Sequence, residues 1–301
     1  MSIPKKIFII PFRAREYQQS IFLNCMEKIL KDETDYEIVF SHQTDKRHFN
    51  RGAVKNIGFI YVKDTYPNDW ENITLIFHDI DYIPYKKLFS YDTTHGSVKH
   101  FYGLKAAFGG IWAIKGKDYE KIKGFPNYWA WGFEDNKIKD NWLKSGGKIN
   151  YEEFIEYTDT RIVKLDCSNH GHDNRIVNKH TLFFAKKEKP EHSGYHTIWD
   201  LDYSVSNIEN NIKMININKF MVEKKENVGK YVKANNKDIQ NDYQRRQQRL
   251  RIKQHNIKEM KKKRTKRWYQ QTRMAMATPT MAIPRSGMNI SFTSRSYKKI
   301  Q

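Results

Sequence analysis

The residues best equipped for chemistry lie in four short stretches. In Phe125-Pro126-Asn127-Tyr128-Trp129-Ala130-Trp131-Gly132-Phe133-Glu134-Asp135-Asn136, two indoles stand close to paired carboxylates, after the backbone-bending Gly124, Pro126 and Asn127. The stretch runs into Lys137-Ile138-Lys139-Asp140-Asn141-Trp142-Leu143, so Glu134 and Asp135 sit where a loop enters a helix. Acids there are favoured by the exposed N–H groups and the helix dipole, which alone would explain a well-started helix. Two indoles so close suggest more, because aromatic faces pack on the apolar side of a sugar ring while acids take its hydroxyls. Asp79-Ile80-Asp81 follows the apolar run Ile73-Thr74-Leu75-Ile76-Phe77. Strand period puts both carboxylates on one side with Ile80 facing the core, and carboxylate oxygens suit a hard divalent cation that could neutralise a diphosphate. His170-Gly171-His172 offers two imidazoles that in extended backbone project to one side and can share an ion; the plain alternative is two satisfied surface or core histidines. In Phe108-Gly109-Gly110 the glycines let backbone approach a bound molecule, or simply mark a bulge.

The elements that must position these residues alternate strand and helix. Ile7-Phe8-Ile9-Ile10 reads as a buried central strand ending at Pro11, which leaves Arg13 and Arg15 at its C-terminal end, where open α/β sheets bind ligands. That position favours a phosphate or uracil contact over a solvated pair. Ile21, Phe22, Cys25, Met26, Ile29 and Leu30 recur at helical spacing, which predicts a helix over 16–31 with Cys25 in its packed face. Tyr36-Glu37-Ile38-Val39-Phe40 is a second strand, and Phe49-Asn50-Arg51 opens a helix running through Val54, Ile57 and Gly58. Ile111-Trp112-Ala113-Ile114 is a further strand, and 193–218 reads as the closing strands. The expected fold is one α/β domain with a mainly parallel sheet, helices on both faces and ligand at the strands' C-terminal ends.

Charge divides the chain. The 301 residues carry a formal +20, of which residues 222–301 hold +17 from 22 Lys+Arg and 5 Asp+Glu, leaving about +3 for the first 221. This predicts a catalytic domain over 1–221 and a basic low-complexity tail over 222–301, so the overall basicity belongs to the tail. Runs such as Lys261-Lys262-Lys263-Arg264-Thr265-Lys266-Arg267-Trp268 lack hydrophobic periodicity, so the tail is expected to be disordered or a solvated helix; nucleic acid and an anionic surface are its candidate partners, and a solubilising appendage is the alternative. Cys25 and Cys167 are too few for a disulfide framework, and no run approaches a membrane span. The expectation is a soluble, cytoplasmic protein.

Taken in order, Pro11-Phe12-Arg13-Ala14-Arg15-Glu16, Phe49-Asn50-Arg51, Asp79-Ile80-Asp81, Phe108-Gly109-Gly110, Gly124-Phe125-Pro126-Asn127 running into Trp131-Gly132-Phe133-Glu134-Asp135, and His170-Gly171-His172-Asp173 make the chain resemble the β-1,4-galactosyltransferase family over about residues 5–173. The resemblance implies a GT-A type fold and metal-dependent, inverting transfer of galactose from UDP-galactose to a glycan or glycoconjugate acceptor. It implies that Pro11, Phe12, Arg13 and Arg15 hold the uridine part, that Phe49 and Arg51 help hold the nucleotide, and that Asp79 contacts the donor. Gly109 and Gly110 would lie against the donor hexose, and Trp131 on a loop that closes over it. Glu134 would bind acceptor hydroxyls and Asp135 would be the general base. The metal would sit on Asp81, His170 and His172, with Cys167 as the alternative ligand; the His-x-His-Asp order resembles the branch acting on xylose-linked acceptors. Mixed carboxylate and imidazole ligation suits Mn²⁺, with Mg²⁺ as the alternative. Three departures stand out: Ala107 where Tyr is usual, which leaves room beside the sugar's C2 substituent and extends the donor to N-acetylgalactosamine, Phe133 where Gly is common, and Asn136 where an acid is common. The competing reading is a non-catalytic nucleic-acid- or surface-binding protein with a degenerate transferase fold. Asp81, Asp135 and His172, all present, argue against it.

Overall fold

The structure is a computed structural model that describes residues 3–165, 176–178, 185, 189–223, 226, 231–233 and 259–260. The chain divides into two units, Met1–Asn235 and Asn236–Gln301, and every element below lies in the first. In chain order these are β1 Lys6–Phe12, α1 Glu16–Ile29, β2 Tyr36–Gln43, α2 Arg51–Thr65, β3 Thr74–His78, β4 Tyr82–Pro84, β5 Ser97–Gly103, β6 Ile111–Lys115, α3 Gly116–Lys121, α4 Glu134–Lys144, β7 Lys148–Asn150, β8 Ile155–Glu156, β9 Ile162–Lys164, β10 Ile176–Asn178, β11 Trp199–Glu209, β12 Ile212–Met221 and β13 Tyr231–Lys233.

A central sheet runs β11-β12-β2-β1-β3-β6-β5-β7, with β8 also on β5. The joins β12–β2, β2–β1, β1–β3, β5–β7 and β5–β8 are parallel, while β11–β12, β3–β6 and β6–β5 are antiparallel, so the sheet is mostly parallel, as the alternation of strand and helix predicts. Both faces are covered. Ile7 and Ile9 of β1 pack into one apolar cluster with Val54, Ile57 and Val62 of α2, whereas Phe8, Ile10 and Phe12 pack into the other with Phe22, Met26 and Ile29 of α1. That alternation across a continuous apolar run is what a strand buried on both sides requires.

The local sequence explains the elements that carry the site. Asn50 caps α2, its side chain accepting from the Ala53 N–H at 2.9 Å. β3 stops at His78, so Asp79-Ile80-Asp81 form a turn rather than the strand end that the apolar run suggested; Ile80 is nonetheless core, and Tyr82 N–H reaches back to Asp79 O at 3.2 Å. α4 opens at Glu134 as expected, with Phe133 before it at φ 69°.

Candidate active site

The ends of β1 and β3, the N-termini of α2 and α4, and the Gly109-Gly110 turn before β6 bring the expected carboxylates together. Asp79 Oδ1 accepts from Arg51 Nη2 at 2.7 Å, and its Oδ2 takes the Gly110 N–H at 3.4 Å, while Asp79 N–H donates to Gly110 O at 3.0 Å. Burial opposes the charge on Asp79, but Arg51 and Lys55 beside it outweigh that and hold its carboxyl below the usual range. Burial likewise opposes the charge on Arg51, and the carboxylates of Asp79, Asp135, Glu134 and Asp81 overcome it.

Glu134 is 3% exposed; its Oε1 lies 3.3 Å from Arg51 Nε and its Oε2 accepts from Gly132 N–H at 3.1 Å. Burial, then the neighbouring Asp135, raises its pKa. Asp135 is tied to the glycine turn through its backbone, whose carbonyl accepts from Phe108 N–H at 3.0 Å. Its side chain bridges two elements: Oδ1 accepts from Lys55 Nζ at 3.1 Å, and Oδ2 lies over Gly109, 3.2 Å from where a Cβ would stand. Gly110 has φ +82°, and a Cβ there would sit 2.4 Å from Tyr102 O, so both glycines serve close approach.

Asp81 stands beside this cluster, its carboxyl pushed up to about 6 by burial and by Asp79, with Arg51 and Arg15 acting against the rise. A carboxyl so placed suits a hard divalent cation, which would supply the positive charge that its surroundings only partly provide. The other expected ligands, His170 and His172, and the alternative Cys167, lie outside the described residues. Among the described residues no group of three His, Cys, Asp or Glu could hold a metal. The flanks of the histidine segment are fixed at the site, with Leu165 N–H donating to Asp81 O and Trp131 N–H to Ile176 O, both at 2.8 Å.

The expected donor residues divide in two. Arg15 Nη1 is buried and has no hydrogen-bond partner among the described residues, an orphaned donor suited to an anion. Arg13 is spent on the loop after β2, donating to the carbonyls of Asp45, at 3.0 Å, and Arg47. Pro11 and Phe12 are buried in β1, and Phe49 packs against the cluster that includes α2, its carbonyl accepting from Ala130 N–H at 3.1 Å. Ala107 lies at the start of the glycine turn, half-buried. Asn136 is held by the Ala106 carbonyl at 3.1 Å.

Three residues of this region stand outside the sequence expectations. Lys55 is 1% exposed among the carboxylates; its only signal was a lysine in an otherwise apolar stretch, one turn from Arg51. Asn56 donates to Phe125 O and Asn127 Oδ1 and accepts from Tyr119 O–H at 2.6 Å and Phe125 N–H at 3.0 Å. It thereby fixes the entry to the Trp131 loop. His100 Nε2 lies 3.2 Å from Gly109 O and 3.1 Å from Tyr102 O, so that nitrogen carries the proton and steadies the glycine turn.

Residues 2–94 match the family model for the N-terminal region of glycosyl transferase group 7, and residues 93–164 match the model described as the N-terminal domain of galactosyltransferase. β-1,4-Galactosyltransferase 4 of Cricetulus griseus is 31% identical over 150 residues, 46% of this chain and 42% of that protein; human β-1,4-galactosyltransferase 5 is 28% identical over 197 residues, 62% and 48%. The chain thus spans under half the length of these curated relatives. Among solved structures, the catalytic domain of Drosophila β-1,4-galactosyltransferase 7 in complex with xylobiose shares the fold at TM-score 0.61 and 19% identity, covering 75% of this chain and 97% of that one. A mutant of the same Drosophila enzyme, in complex with manganese, UDP-Gal and xylobiose, superposes at TM-score 0.59.

Proposed function

The chain belongs to the glycosyl transferase group 7 family, whose two models together span residues 2–164, and from that premise we propose that it is a galactosyltransferase using UDP-galactose as donor. The observation that carries the reading is the placement of Asp135 Oδ2 over Gly109, with Asp79, paired to Arg51, holding the backbone of Gly110. A donor hexose laid on glycine backbone there meets a carboxylate oxygen.

Asp135 takes the proton of an acceptor hydroxyl. The acceptor oxygen then forms a bond to the anomeric carbon as the bond from that carbon to the UDP oxygen breaks, and UDP leaves with the electron pair. Displacement from the opposite face inverts the anomeric centre. Arg15 answers the diphosphate's charge. Glu134, held by Arg51 and Gly132, offers acceptor hydroxyls a buried carboxylate oxygen that accepts from them. Asp81, with His170 and His172, would hold Mn²⁺, which when bound offsets charge on the departing diphosphate. The relative solved with manganese, UDP-Gal and xylobiose supports the choice of ion and donor.

The test is turnover of UDP-galactose with Mn²⁺, onto xylobiose or onto water. Asp135→Asn is expected to lower kcat by about 10²–10⁴-fold with UDP binding unchanged; unchanged turnover would sink the reading. Ala107 at the rim of the turn favours a donor with a bulkier C2 substituent, so UDP-N-acetylgalactosamine should also turn over. Ala107→Tyr should then lower its use against UDP-galactose by about tenfold, as a lost pocket of a few atoms does; equal ratios in the two proteins would remove the donor assignment.

A further inference from the structure

Lys55 belongs to no motif that suggested the function, yet it sits at its centre. It lies one turn after Arg51 on α2, between the core residue Val54 and the buried Asn56, and its side chain is 1% exposed. Lysines are almost never so deeply buried unless paired, since taking an ammonium out of water costs several kcal/mol.

The geometry assigns what the charge does there. Lys55 Nζ donates to Asp135 Oδ1 at 3.1 Å, lies farther from Asp79 Oδ1 at 3.7 Å, and stands 4.5 Å from the centre of the Phe125 ring. Asp79 already has Arg51 and the Gly110 N–H. For the Asp135 side chain, Lys55 is the hydrogen-bond donor found among the described residues. The Phe125 ring and the two carboxylates all lie within 4.5 Å of the ammonium and hold it in place, so it can fix what it grips.

We propose that Lys55 is a positioning residue for the transfer step: it pins Asp135 Oδ1, so that Oδ2, facing Gly109, is the oxygen that receives the acceptor proton. This rests on the reading of Asp135 as the base. The acceptor O–H bond breaks toward Oδ2 while the acceptor oxygen bonds to the anomeric carbon and the bond from that carbon to UDP breaks, UDP leaving with the electron pair; Lys55 neither gains nor loses a proton. A carboxylate free to rotate about its Cβ–Cγ bond would present a correctly placed oxygen for only part of the time, and misplacement near 1 Å can lower a rate by about a hundredfold.

The experiment compares the full chain with Asp135→Asn, Lys55→Met and Lys55→Ala, measuring UDP-galactose turnover with Mn²⁺, onto xylobiose or water, alongside UDP binding and thermal unfolding. Lys55→Met should lower kcat by about 30–100-fold while the KM for UDP-galactose and the affinity for UDP stay within about twofold, the split expected of a group acting only in the transition state. Lys55→Ala leaves a cavity in which propylammonium can replace the lost group, and the amine should restore about tenfold in kcat where propanol restores none. A kcat for Lys55→Met within about threefold of wild type, with Asp135→Asn inactive, overturns the proposal and leaves the base assignment standing. Wild-type turnover in Asp135→Asn overturns both. Should Lys55→Met fail to fold, the Lys55→Ala protein decides: no recovery with the amine overturns the proposal.

Discussion

At the scale of single residues, the site is an exchange of charge between two helix N-termini. Arg51 opens α2 and meets Asp79 at 2.7 Å and Glu134, which opens α4, at 3.3 Å. Replacing Arg51 with Met leaves two largely buried carboxylates without that cation, so unfolding in urea should show a loss of about 3 kcal/mol, at the lower end of what breaking a buried pair costs. Phe133 is a second case. It stands at φ 69°, a left-handed backbone that side chains other than Gly resist by about 1–2 kcal/mol. Gly at 133 relieves that strain but gains freedom in the unfolded chain, so Phe133→Gly should stabilise by about 1 kcal/mol or less; a midpoint lower than wild type would refute it. The glycine turn, Asp79 and the acid pair could be singled out in the sequence only by their order along the chain, because each alone serves equally as a bulge, a strand end or a helix start. Lys55 could not, because a lysine among apolar residues in a helix reads as a solvated position until the packing of α2 is known.

Elements then decide whether those residues meet. α2 lies so close to the entry of the Trp131 loop that a Cβ on Gly52 would stand 2.0 Å from Pro126 O. Gly52→Ala therefore has to push α2 and the 125–127 segment apart, with an expected loss of about 2 kcal/mol and lower turnover, since Arg51 and Lys55 ride on the same turn. Order along the chain showed that β3 precedes Asp79, but the length of β3 was not legible. The alternation of Asp79, Ile80 and Asp81 reads as a continuing strand, whereas the ladder to β6 ends at His78↔Ile111, where the glycine turn begins. Partner strands, not local pattern, set that end. Two histidines in this part of the sheet impose a pH dependence. Burial lowers both His78 and His100 from 6.5 to about 4, and each has one ring nitrogen buried without a partner among the described residues. The unfolded chain takes up these protons near pH 6.5 while the folded one resists until about 4, so stability is full above 6.5 and declines as pH falls between those values. Each should contribute a loss of about 2 kcal/mol by pH 5, at 1.36 kcal/mol per unit. His100→Gln, which keeps a donor for the Tyr102 and Gly109 carbonyls, should flatten that decline in a series of urea melts; an unchanged slope would remove His100 as a cause.

Over the whole molecule, charge and contact draw the domain's edge in different places. The shift to basic composition begins at Val222, yet Val222 is 5% exposed in the core, Glu223 accepts from Thr197 Oγ1 at 2.5 Å, and Glu226 accepts from the His48 N–H just before Phe49. Farther on, β13 pairs antiparallel with β10, matching Ile176 to Lys233 and Asn178 to Tyr231, and Ile176 is the residue whose carbonyl takes the Trp131 N–H. Composition could not disclose this, because a three-residue strand of mixed polarity makes no pattern within a basic stretch. Two truncations separate the alternatives. Ending the chain after Phe220 removes a core side chain, two carboxylate contacts and the partner of β10, so the melting temperature should fall by about 8 °C or more and turnover with it, on the scale of about 2–4 °C per kcal/mol for a domain of this size. Ending it after Asn235 keeps all of these and should preserve the melting temperature and the kcat for UDP-galactose. Equal behaviour of the two truncated proteins would mean that β13 contributes nothing to holding β10, and through it the Trp131 loop, in place.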